Sequence, residues 1–84
     1  MDFKNYNLDA VEKVNPLIKD QVIVALELEW GSGAQMEAQD KVFDLCIVCN
    51  VFTYEDAEKA CHMATTQEMM RWVGYKCVDH VNGI

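Results

Sequence analysis

Apolar and polar positions alternate most regularly in "QVIVALELEW", residues 21–30. On an extended chain Val22, Val24, Leu26, Leu28 and Trp30 share one face, and Ile23, Ala25, Glu27 and Glu29 the other. A second run, "KVFDLCIVCNVF", residues 41–52, puts Phe43, Leu45, Ile47, Cys49 and Val51 on one side and Val42, Asp44, Cys46, Val48, Asn50 and Phe52 on the other. Read as a hairpin joined by "GSGAQMEAQD", the two runs pair Leu28 with Phe43, Leu26 with Leu45 and Val24 with Ile47. A slip of one residue would send the two apolar faces to opposite sides, so parity selects this register. It sets Glu27 across from Asp44 and Trp30 across from Lys41.

The flanking segments carry helical spacing. Leu8, Val11, Val14 and Ile18 follow Asn7 as an N-cap, and Pro16 ends the regular helix near Val14. Further on, Thr53 caps a helix with Glu55 and Asp56 in its first turn. Ala57, Ala60, Cys61 and Ala64 give that helix a narrow small-residue face suited to packing on a sheet. Thr65-x-x-Glu68 reads as a capping box opening a second helix, Gly74 as its C′ residue, and "YKCVDHV" as a short third strand.

The pattern therefore predicts one α+β domain over residues 1–84, in the order α-β-β-α-α-β: a small three-stranded antiparallel or mixed sheet with helices mainly on one face. That order is similar to the type II K-homology domains, a resemblance that implies an RNA-gripping Gly-x-x-Gly loop between the two middle helices. Met63-Ala64-Thr65-Thr66 stands at that place, so the resemblance is one of topology and brings no RNA site with it.

Charge narrows the partners. The formal net charge is −7, and residues 21–52 hold five acids and one base. Affinity for phosphate comes largely from Lys and Arg, so this balance disfavours nucleic acid or an anionic membrane as a direct ligand and suits a basic protein surface better. "MDFKNYNLDA" lacks the basic-then-apolar layout of a signal peptide, and the longest apolar runs, "VIVAL" and "LCIVC", are short, which predicts a cytoplasmic protein without a membrane span. The four cysteines lie inside apolar or helical pattern and are read as reduced thiols.

Candidate chemistry is sparse. Cys46-x-x-Cys49 and Cys77-x-x-His80 hold the right atoms for zinc, but on a strand positions three apart face opposite ways, and the expectation is no metal and no cofactor. Cys61 and His62 are adjacent on a helix and point about 100° apart, so they form no nucleophile–base pair. Met63, Met69, Met70 and Trp72 read as core filling. With no catalytic triad and no phosphate loop, the chain is read as non-enzymatic.

The remaining feature is acidic. Glu27, Glu29, Asp44, Glu37 and Asp40 gather at one end of the inferred hairpin, with Lys41 the base near them. Ile23, Val48 and Phe52 form an apolar part of the same sheet face that needs a cover: the N-terminal helix folding across, a second copy of the chain, or a different, basic protein. The expected function is a small acidic interaction module that inhibits or regulates a basic, nucleic-acid-binding protein; in size and charge it resembles small acidic phage proteins such as anti-CRISPR proteins. Two alternatives stay open: a zinc-supported or K-homology-like nucleic-acid-binding module, and a small oligomeric enzyme using His62 and His80.

Overall fold

Asn15 and Pro16 restart helical structure as soon as it ends. In the computed structural model, which describes residues 4–83, helix α1 (Leu8–Val14) stops at Asn15, whose extended backbone lets its side chain accept a hydrogen bond from the Leu17 N–H at 2.9 Å. Pro16 then sits at the first helical position, where its missing N–H costs nothing. Helix α2 (Pro16–Glu27) runs through the segment expected to be the first strand. Its buried residues are Ile18, Val22, Ala25 and Leu26, a helical i, i+4, i+7, i+8 set. Val24 and Trp30, which a strand would have turned into the core, are 43% and 71% exposed.

The second expected strand is helical as well. Ser32 caps helix α3 (Gly33–Val48) by accepting from the Gln35 N–H at 3.1 Å, and Gln35, Ala38, Val42, Phe43 and Cys46 form its buried stripe. Helix α4 (Tyr54–Cys61) opens with a capping box: the Thr53 hydroxyl accepts from the Asp56 N–H at 3.2 Å, and the Thr53 N–H donates to the Asp56 carboxylate at 3.0 Å. Thr65 caps helix α5 (Thr66–Asn82), which continues through the expected third strand to a left-handed Gly83.

The α+β expectation is thus overturned. Among the described residues there are five α-helices and a 3₁₀ turn at Lys4–Tyr6, and no strand, so neither the three-stranded sheet nor the K-homology order exists. The physical reason lies in two apolar runs dense enough to satisfy both a two-residue and a 3.6-residue period. The capping groups at Asn15-Pro16 and Ser32 then decide for helix.

Gly74 is also reassigned. It lies buried inside α5, where a Cβ would come within 2.3 Å of the Tyr6 carbonyl oxygen. Glycine is needed there for the close approach of the N-terminal turn, not to end a helix.

Helices α2 and α3 form an antiparallel hairpin, and α5 packs against α1, α2 and α3. The molecule measures 35 × 26 × 19 Å, and the shortest dimension is about two helix diameters, so the helices lie in two layers. Val11, Ile18, Val22, Val42, Cys46, Met70, Val73 and Cys77 fill the space between them. Phe43 and Phe52 stack at 6.0 Å near the α3–α4 connection.

Candidate functional site

Gln35 holds the α2–α3 hairpin shut. Its side-chain Nε2 donates to the Ala25 carbonyl at 3.0 Å, taking up an acceptor in the last turn of α2, while its Oε1 accepts from the Gly31 N–H at 3.0 Å. At the other end the Asn15 side chain donates to Cys49 Sγ at 3.6 Å. These contacts fix which ends of the two helices meet. Glu27 and Glu29 lie beside the start of α3, and Val48 lies beside the start of α2.

All five candidate carboxylates are exposed. Glu37, Asp40 and Asp44 fall on α3 at i, i+3 and i+7, an arc of about 60° and a rise of about 10 Å. The opposition of Glu27 and Asp44 across a strand pair does not exist; the adjacency of Glu37, Asp40 and Asp44 is along one helix. None of the five makes an ion pair among the described residues, whose salt bridges are Lys19 with Glu12 and Lys76 with Asp56 at 3.4 Å.

The apolar half of the candidate site comes apart. Phe52 is 4% exposed and belongs to the core, Ile23 is half-buried, and Val48 is 77% exposed. Their grouping depended on a sheet face, and with no sheet a second copy of the chain has no such face to pair through.

The placement of charge differs between the two halves of the chain. In α4 and α5 acids stand in the first turn (Glu55 and Asp56; Glu68) and a base in the last (Lys59; His80), the arrangement that helix dipoles favour. In α2 and α3 no acid stands in the first turn and no base in the last, while Glu27 occupies the final position of α2. A carboxylate at a helix C-terminus costs about 0.3–1 kcal/mol. The pairs Glu37–Asp40 and Asp40–Asp44 add about 0.2–0.5 kcal/mol each of repulsion. Local stability therefore does not account for the acids of the hairpin.

The residues of the metal and enzyme alternatives are spread over the end of α3, the end of α4 and α5. Cys46 and Cys77 are buried, and burial pushes both thiols up, Cys77 to about 12; His80 is exposed. Among the described residues no group of three or more His, Cys, Asp or Glu side chains is arranged to hold a metal. Cys61 and His62 face solvent. An open cleft of about 670 Å³ where α1 meets the end of α5 is lined by Asn7, Asp9, Lys13, Lys19 and Asn82 among others, and contains no nucleophile beside a base. Among the described residues no helix is long and apolar enough to cross a membrane.

Sequence reasoning missed Gln35 and Asn15, the side chains that set the hairpin. Both were signalled: Ser32-x-x-Gln35 has the same spacing as Thr65-x-x-Glu68, and Asn-Pro is a cap followed by a favoured first helical residue. Comparison with family models, with curated proteins and with solved structures returned no match.

Proposed function

We propose that this chain is a non-enzymatic protein-interaction module whose helical hairpin presents an acidic surface to a basic protein partner and so regulates or blocks that partner's surface. The observation that carries the reading is the stripe Glu37, Asp40 and Asp44 on α3, without ion pairs among the described residues, continued at the hairpin end by Glu27 and Glu29. A negative patch of this kind accelerates encounter with a positive surface and discriminates against acidic ones. A basic surface that otherwise holds nucleic acid is the natural target, because its lysines and arginines are already arranged for anionic groups.

The test is affinity capture from the native lysate after nuclease treatment, at low and at high salt, with the wild-type chain and with the triple variant Glu37→Gln/Asp40→Asn/Asp44→Asn. The reading expects a basic protein retained by the wild type at low salt and released by salt or by the variant. Equal retention by the variant removes α3 from the interface.

A further inference from the structure

The outer face of α2 carries apolar side chains that the bundle leaves uncovered. Leu17 is 61% exposed and, seven residues later, Val24 is 43% exposed. Asp20 and Glu27, also seven apart and exposed, follow the same face, so the ridge alternates apolar and acidic groups over about 15 Å. Val48, 77% exposed, ends α3, whose C-cap Cys49 meets Asn15 at the start of α2. A ridge repeating every seven residues has the spacing that a second helix packs against.

Charge selects which helix. A second copy of α2 laid antiparallel so that Leu17 meets Val24 brings the two Asp20 carboxylates together near the crossing, placing like charges in contact. An acidic helix meets the same repulsion. A helix with an apolar seam flanked by Lys or Arg satisfies both the exposed Leu17 and Val24 and the carboxylates between them. We infer that the outer face of α2 is the docking ridge for a basic amphipathic helix of a partner protein. The inference rests on the reading of the chain as an acidic interaction module and adds the element, the face and the shape of the partner segment.

The probe is a synthetic amphipathic peptide of leucine and lysine, about 21 residues or three heptads long. A peptide of the same composition in scrambled order is the control. Titrated into the isotopically labelled full chain, the ordered peptide shifts amide resonances along residues 17–27. The double variant Leu17→Ser/Val24→Ser weakens it about tenfold through lost apolar burial. Neither side chain is part of the buried core, so the variant keeps the wild-type circular dichroism and a cooperative melt.

Equal binding of ordered and scrambled peptides, shifts confined to α4 and α5, or unchanged affinity in the double variant overturns the inference. A dimer of the chain alone that the double variant abolishes also overturns it, by making a second copy the occupant. The α3 triple variant separates the two readings. If it loses the peptide while the double variant does not, the acidic reading stands and the α2 ridge falls. If it binds as the wild type does, docking lies away from α3, as the α2 ridge requires; unchanged affinity in an Asp20→Asn/Glu27→Gln variant overturns the acidic reading and the inference with it.

Discussion

Replacing Gln35 by leucine tests the contact that defines the hairpin. Gln35 is 3% exposed and makes two side-chain hydrogen bonds, to the Ala25 carbonyl and from the Gly31 N–H, both at 3.0 Å. Leucine fills nearly the same volume, so the cavity contribution is small. Gly31 is exposed and its N–H can turn to water, but Ala25 is fully buried and its carbonyl loses this partner. A buried unsatisfied group costs about 1–3 kcal/mol, and the second lost bond adds about 0.5–1 kcal/mol, for a total of about 1.5–4 kcal/mol. In a domain of this size that lowers Tm by about 6–30 °C.

Urea unfolding followed by circular dichroism reads the change as a lower midpoint at constant slope. The Gln35→Glu variant adds a sign test. A buried carboxylate facing the Ala25 carbonyl has its pKa raised in the folded state, while the protonated form can donate as the amide does. Its stability is therefore highest below the unfolded glutamate pKa and falls as pH rises through the folded one. A Leu variant within about 0.5 kcal/mol of wild type, or a Glu variant with no pH dependence beyond that of the wild type, refutes the assignment.

Other outcomes follow from the same contacts. Gly74→Ala gains about 1 kcal/mol of helix propensity but drives its Cβ into the Tyr6 carbonyl, and a net loss of about 1–2 kcal/mol is expected by urea unfolding. Thr53→Ala removes the α4 capping box and costs about 1 kcal/mol, with the loss visible in thermal melts. The Thr53 backbone bond, helped by the Thr53 hydroxyl and Lys76, holds the Asp56 carboxyl below the usual aspartate value of 3.8. Its stabilisation is complete above that value and is lost as pH falls through the lowered folded pKa, so the cost of Asp56→Asn shrinks in acid melts. With a thiol reagent under native conditions, Cys61 reacts first and Cys46 and Cys77 react only as the fold opens.

The helix boundaries were more legible than the element types. Pro16, Thr53 and Thr65 marked three helix junctions through chemistry that acts within four residues. The strand reading failed where Val22 to Leu28 and Val42 to Phe52 offered apolar groups at nearly every position, because such a run fits either period. The Asn-Pro and Ser-x-x-Gln caps outweighed the β-branched content, and a reading that scored these caps before periodicity would have found the hairpin. The acidic residues were visible as charges, yet their arrangement was not: the Glu37, Asp40 and Asp44 stripe exists only once α3 is helical. Phe52 was misplaced for the opposite reason, since its burial depends on Phe43 across the α3–α4 turn rather than on strand parity.

The acidic hairpin is tested most directly by the affinity of the captured basic partner for the wild type and for Glu37→Gln/Asp40→Asn/Asp44→Asn, each at about 50 and about 200 mM salt. At about 0.5 kcal/mol per exposed charge, the triple variant binds about tenfold more weakly at low salt. Its affinity depends less on salt, and the two chains converge at high salt. Superimposable salt dependences for wild type and variant would contradict the account.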